Sequence, residues 1–385
     1  MVSINKKQPL VTIMVSYYND NNFLKENIDA ILNQTYENWE LILLNHASTD
    51  NSREIARSYN DKRISHIDYP VNLGAMSGEL YYQMFKRANG KYVKFFSADD
   101  KLKPNGLEIL VNYMEEHPEK GFAFGNVEYI DARSQSLNDT WFDARPLFSL
   151  NYSKEEILDI YFNVKESIFP FAGHIIRKEI LSKENFNSVF ILYFDVYLWF
   201  SLMISKNEVG LINKIIAYYR IHDRQLTAVS KFDVTIIRLK YEMEYYRKLL
   251  FRIKDIDDIR LLCRDSKYIE QFSEEKEIPF ILAEYLFNKF GSITAYNVLL
   301  DLLNDEGMML YLREKFGFTI GTLRALYSRK EDEYSNESWH ERTAKICFKL
   351  SIFQILYMIL IKIKFFLFRR SIKELLGLRK RKYSL

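Results

Sequence analysis

Residues 95–108 read FFSADDKLKPNGLE. An apolar run ends here on two adjacent carboxylates, Asp99 and Asp100, and Pro104 then opens a helical stretch. Like charges side by side repel, and burying them without a partner is costly. The stretch therefore calls for positive charge close by. The structural alternative is a solvated turn in which an aspartate caps the helix. The choice depends on what neighbouring segments bring to the same place.

Working outward, strand and helix signals alternate. VTIMVS (11–16), WELILLN (39–45), RISHIDY (63–69) and KYVKFF (91–96) are short apolar runs that predict strands. Between them, FLKENIDAILNQ (23–34) carries apolar residues at helical spacing. STDNSREIARSY (48–59) opens on good N-caps, and residues 77–88 predict a third helix with Asn89-Gly90 as its C-cap. Such alternation predicts a parallel sheet covered by helices. Ligands of open α/β sheets bind at the carboxyl ends of the strands. The residues following the four strands are Ser16-Tyr17-Tyr18-Asn19-Asp20, Asn45-His46-Ala47-Ser48-Thr49-Asp50, Pro70-Val71-Asn72-Leu73-Gly74 and Ser97-Ala98-Asp99-Asp100. Loops are polar anyway, but four polar ends on one edge, one with paired acids, point to a site.

The first turn has no glycine, which excludes both the dinucleotide fingerprint and the P-loop. Hard oxygen ligands at a strand end suit Mg²⁺ or Mn²⁺, ions that commonly hold phosphates as well. The net charge of +3 argues against a nucleic-acid binder, so no nucleic-acid partner is expected. Two distant cysteines, Cys263 and Cys347, form no metal-ligand spacing and fit a reducing cytosol. The N-terminal apolar run is short and runs straight into polar residues, reading as a strand and not a signal peptide.

The segments VTIMVSYYNDNNFLKENIDAILNQTYENWELILLNHASTDNS, NLG, ANGKYVKFFSADDKLKPNGLE, FDVYLWFSL (194–202) and YYRIHDRQLT (218–227) together resemble family 2 glycosyltransferases. The resemblance frames about the first 230 residues. It implies the GT-A nucleotide-diphospho-sugar transferase fold, a mostly parallel sheet between helices, here with an α-helical C-terminal extension. It also implies inverting transfer of a sugar from a nucleotide-diphosphate donor, a UDP-sugar, assisted by Mn²⁺ or Mg²⁺. On this resemblance Ser16, Tyr17, Asn19, Asn45 and Asn72 lie on the donor side, with Asn45 where relatives carry an acid. Ser97 stands at the first position of the metal motif and would reach a ribose hydroxyl or a metal-bound water. Asp99 keeps the ligating position, with Asp100 the next candidate. Asp195 matches the general base, preceded by Phe194 in place of an acid; without the resemblance it reads as a helix N-cap. Arg220-x-His222 would face the phosphates, His222 as donor or metal contact, and His174 could line the acceptor pocket.

The expected domains are 1–230, catalytic; 231–335, a helical extension; and 340–385, a membrane-associating region. In the last, the uncharged run Leu350–Ile361 falls short of the roughly 20 residues that span a bilayer. It is followed by Arg369, Arg370, Lys373, Arg379, Lys380, Arg381 and Lys382. An apolar helix with basic flanks suits an anionic membrane surface, the inner leaflet, making the protein peripheral on the cytoplasmic side. A buried or dimer-forming helix is the alternative, which leaves a homo-oligomer open. The acceptor would be a cell-surface glycan or a lipid-linked one. Two competing functions remain at this stage: a catalytically inactive scaffold for glycan assembly, and a sugar nucleotidyltransferase.

Overall fold

The computed structural model describes residues 8–73, 77–143, 169–187, 190, 194–205, 207–225 and 242–335. The segment 340–385 and Cys347 lie outside the described residues. Two compact units divide the chain, Met1–Leu302 and Leu303–Leu385. The first contains the sheet and also the helices that follow it, including residues 242–250 and Ile278–Phe290. In the second, the helix Glu306–Phe316 is capped by Asp305, whose carboxylate accepts from Met308 N–H, and ends on Gly317 in the left-handed conformation. No helix among the described residues is long and apolar enough to cross a membrane.

Four N-terminal strands, β1 (Val11–Tyr17), β2 (Trp39–His46), β3 (Ile64–Tyr69) and β4 (Tyr92–Ser97), pair in parallel in the order β3-β2-β1-β4. Their apolar runs are continuous because helices cover both faces, so alternation would expose nothing to water. Val11, Ile13, Val15, Leu41, Leu43 and Phe96 are buried in one core with Leu24, Ile28 and Ile31 of α1 (Leu24–Leu32). Each such side chain contributes about 1.5–3 kcal/mol by leaving water. Helices α2 (Ser52–Arg57), α3 (Gly78–Phe85) and α4 (Gly106–Glu116) complete the alternation.

Beyond β4 the sheet departs from the expected parallel pattern. It continues through β8 (His174–Arg177), β6 (Lys120–Asp131), β9 (Glu208–Ile221) and β5 (Lys101–Leu102), with β7 (Ser136–Thr140) on β6. Only β6–β9 is parallel here; β4–β8, β6–β8, β6–β7 and β5–β9 are antiparallel. Strand β8 runs against both β4 and β6, so β6 and β9 point the same way as β1–β4.

Two features of the quoted stretch are now explained. Gln34 donates to the carbonyls of Ala30 and Lys103 while its own carbonyl accepts from Leu107 N–H. It thus pins the end of α1 to the turn that starts α4. Asn27 donates to the carbonyls of Ser97 and Asp100, fixing the carboxylate-bearing turn to the same helix. Gly90 is not the C-cap that its Asn-Gly pair suggests. The helix ends at Phe85, and Gly90 is required where the chain crowds the backbone of Thr12 and Tyr92.

Gly106 has a similar constraint, since a Cβ there would overlap the carbonyl oxygen of Ile216 in β9. Gly106→Ala should therefore destabilise the protein by about 1–3 kcal/mol through overpacking. Urea denaturation checks this; an unchanged midpoint would show that α4 is not held against β9 as described.

Candidate active site

The parallel register sets Ser16 beside Ser97, Tyr17 beside Asn45, and Asn45 beside Asp68. The four polar strand ends therefore line one edge. Two of the loops are stitched together by Asn19, which sits at φ 55, a left-handed conformation that asparagine tolerates. Its side-chain carbonyl accepts from the backbone N–H groups of Thr49 (2.8 Å) and Asp50 (3.3 Å), and its own N–H donates to Ser48 Oγ. Asn19 thus shapes the loops that follow β1 and β2.

Asn45 is buried, its carbonyl accepting from Ser48 N–H and its amide donating to Asp68 Oδ1 at 3.2 Å. Asp68 is also gripped by Arg53 and Arg57, which hold its carboxyl well below the usual range. Next along β2, His46 is buried and bonded to the exposed Asn72, and burial pushes its imidazole down to about 4. The Tyr18 ring lies 5.4 Å from it. Tyr17 is buried and its phenol is pushed up by burial and by Asp68.

At the other end of the edge, the paired acids face different partners. Asp99 is partly exposed, and its Oδ2 lies 3.0 Å from Nε2 of His222, just beyond the end of β9. The His222 ring packs on Phe23 at 4.7 Å. Asp100 departs from its expected ligand role. It is 2% exposed, and its Oδ1 accepts from the backbone N–H of Arg220. Burial, and then the neighbouring Asp99, drive its carboxyl well up. Arg220 also departs from expectation. Its guanidinium turns inward to the carbonyls of Asp99 and Asp131, Ser134 Oγ and Glu26 Oε2, so it does not face the phosphates. Among the described residues no three His, Cys, Asp or Glu side chains gather closely enough to hold a metal by themselves.

Asp195 lies near the start of the helix Phe194–Ile204, 8% exposed, with Oδ1 accepting from Val196 N–H. Tyr81 of α3 connects the two sides. Its ring stacks on Phe194, the residue before Asp195, at 5.1 Å and meets Phe95 of β4 edge-on at 5.0 Å. His174 does not line a pocket. It is fully buried, with Nδ1 bonded to Phe171 O and Nε2 accepting from Phe95 N–H, which fixes its tautomer.

Three residues escaped sequence reasoning. Asp20 sits near Asp99, Asp50 and His222. Lys94 is wholly buried in β4 and donates to the carbonyls of Ala172 and His174. Its lone charge inside the apolar run YVKFF was a usable signal; Tyr81, one aromatic among many, offered none.

The profile of Glycosyl transferase family 2 matches residues 12–184. An uncharacterized glycosyltransferase of Rickettsia typhi is 32% identical over 225 residues, 58% of this chain and 67% of the relative. A Bacillus subtilis protein named as a candidate teichuronic acid biosynthesis glycosyltransferase, TuaG, is 32% identical over 111 residues, 28% of this chain and 43% of its own. Among solved structures, Staphylococcus aureus TarS 1–349 in complex with UDP matches with TM-score 0.49 at 13% identity, covering 86% of this chain and 92% of that one. The matched segment includes the four strand ends and their polar loops, and the chain belongs to glycosyl transferase family 2, an α/β glycosyltransferase of the GT-A fold.

Proposed function

We propose that this glycosyltransferase moves a sugar from a UDP-sugar to a glycan or lipid-linked acceptor, with inversion at the anomeric carbon. One observation carries the reading: the polar ends of the parallel strands share one edge, where Asp99 and His222 meet at 3.0 Å. Single-displacement transfer needs a leaving diphosphate on one side of the sugar and a base for the acceptor hydroxyl on the other. Asp195, a carboxylate at a helix start, is the group assigned to take the acceptor proton. Ser16, Tyr17, Asn45, Asn72 and Ser97 are assigned to the nucleoside side, where the in-register strand ends support a common pocket. Asn19 contributes by holding the loops around it.

A divalent cation fits this edge. Asp99 and His222 offer one oxygen and one nitrogen donor, and diphosphate and water would supply the rest. The charge balance supports it as well. Asp20 is pushed up from 3.8 to about 7, chiefly by burial and further by the negative charges of Asp99 and Asp50. When bound, Mn²⁺ or Mg²⁺ would offset the charge of the departing diphosphate. Asp100 is left out of this donor set because its carboxyl faces Arg220. The basic, apolar sequence at 340–385 supports work at an anionic membrane surface.

A thermal-shift screen of UDP-sugars with and without Mn²⁺ tests the donor. A ligand that binds only the folded state at 100 times its Kd adds about 2.7 kcal/mol. Asp99→Ala should lose the Mn²⁺-dependent part of that gain; undiminished Mn²⁺ dependence would remove Asp99 from the cation site. Asp195→Asn should keep donor binding and lose about 10²–10⁴ in donor hydrolysis, the usual worth of a general base. Full turnover in that variant would eliminate the base assignment.

Asp20 gives a pH test. Its folded value lies above its ordinary one, so its contribution to stability is complete below pH 3.8 and is lost as pH rises towards about 7. In EDTA, the wild-type Tm should fall more between pH 5 and pH 8 than that of Asp20→Asn. Parallel pH profiles would show that Asp20 carries no such strain.

A further inference from the structure

Phe23 stands at the N-cap of α1, half-buried and apart from the core that takes Leu24, Ile28 and Ile31. Its ring is given over to two other residues. The imidazole of His222 packs on it with centroids 4.7 Å apart and planes tilted by 51°, and the guanidinium carbon of Arg220 lies 4.7 Å from its centre. Both partners come from the end of β9, and both meet Asp99. Arg220 Nε donates to the Asp99 carbonyl at 2.7 Å, and His222 Nε2 lies 3.0 Å from Asp99 Oδ2. The contacts close a circuit, from Asp99 to Arg220, Phe23 and His222 and back to Asp99. The backbone of Phe23 is fixed as well: its N–H donates to the carbonyl of Asp20 and its carbonyl accepts from Asn27 N–H, each at 3.0 Å. Asn27 in turn donates to the carbonyls of Ser97 and Asp100, which bracket Asp99.

The His222 ring has two hydrogen bonds, Nε2 with Asp99 and Nδ1 accepting from Arg224 N–H at 3.2 Å. Both act in the ring plane, where imidazole N–H bonds and lone pairs lie. Hydrogen bonds weaken steeply only when strongly bent, so these two leave the imidazole able to tilt. A contact on the ring face removes that freedom, and among the described residues Phe23 is the one ring packed on it. We propose that Phe23 is a positioning residue for the Asp99–His222 pair: braced on the immobilised Arg220, its ring sets the tilt of the imidazole and so the place of the Asp99 carboxylate where a divalent cation is to bind. Groups that orient a metal-binding side chain are worth about 10–100-fold in metal affinity. The inference rests on the proposed reading of Asp99 and His222 as the cation edge.

The test uses the full chain at saturating UDP, with Mn²⁺ titrated and the Tm recorded. The readout is the Mn²⁺ concentration that gives half of the metal-dependent gain. Phe23→Leu keeps an apolar side chain and removes the flat face. Its half-saturating Mn²⁺ should rise on the order of 10-fold, while its Tm in EDTA stays close to wild type. Phe23→Met serves the same purpose should the leucine variant fold poorly, and Phe23→Tyr, which restores the ring, should recover the wild-type titration. In a His222→Ala background Phe23→Leu should bring no further rise, because the ring acts through the imidazole. If Phe23→Leu and Phe23→Met titrate like wild type, or lose Tm in EDTA with the half-saturating Mn²⁺ unmoved, the ring is packing alone and this inference fails. An undiminished effect of Phe23→Leu in the His222→Ala background overturns it too. If wild type shows no Mn²⁺-dependent gain, or Asp99→Ala keeps all of it, the cation reading itself fails, and this inference with it.

Discussion

Arg220 holds the site together. Its side chain is 1% exposed, and a buried guanidinium is tolerable only when its N–H groups are satisfied. Nε donates to the carbonyl of Asp99 at 2.7 Å, Nη1 to Ser134 Oγ and the carbonyl of Asp131, and Nη2 to Glu26 at 2.5 Å. The ring of Phe23 lies 4.7 Å from the guanidinium carbon. One side chain thus connects the end of β9, the turn after β4, helix α1 and the β6–β7 turn. Glu26 is further bonded to Lys101 and Ser134, which hold its carboxyl below its ordinary value despite partial burial. The turn carrying Asp99 is thereby fastened from behind. Asp99 can then present its carboxylate to His222 without its backbone having to find partners.

The adjacent acids divide the work between them. Asp100 faces inward, where Arg220 N–H binds it and the buried Lys94 contributes a favourable field. Lys94 itself is driven down to about 7 by desolvation, so burial moves both groups towards their neutral forms. The positive charge that the sequence demanded beside two aspartates is therefore partly protein, supplied from the inner side. Asp99 remains the outward member, and the excess negative charge is felt by Asp20. A cation at the edge would relieve that excess.

The first hundred residues could be read closely from sequence, because each strand there is a short apolar run bounded by turn residues and each helix has a periodic face. WELILLN and KYVKFF became β2 and β4 within a residue or so. The strand-end rule then located the edge. What sequence could not give was pairing beyond β4. Strands β6, β8 and β9 mix parallel and antiparallel contacts, and local periodicity carries no information about a partner far along the chain. Asn89-Gly90 misled for a related reason. Glycine is needed both in turns and where backbones crowd, and only the fold tells the two apart. Arg220, adjacent to a histidine motif, looked like a phosphate contact. Its inward rotamer is decided by Glu26, which lies 194 residues earlier.

The loops around the edge are joined by side-chain amides, and the reason is electrostatic. Asn19 and Asn45 each both accept and donate through one side-chain amide, as a group with both a carbonyl and an N–H₂ can, while Asn27 donates to two backbone carbonyls. Carboxylates could accept the same backbone N–H groups, but Asp20, Asp50, Asp68 and Asp99 already crowd this edge. An acid at position 45 would face Asp68 across the present 3.2 Å contact and replace a hydrogen bond with repulsion. Arg53 and Arg57, now devoted to Asp68, would have to neutralise both. A neutral amide keeps the bridge and adds no charge to an edge that already holds four aspartates. Asn45 thus bridges β2 and β3 without adding charge, while Asp68 keeps Arg53 and Arg57 as its own partners.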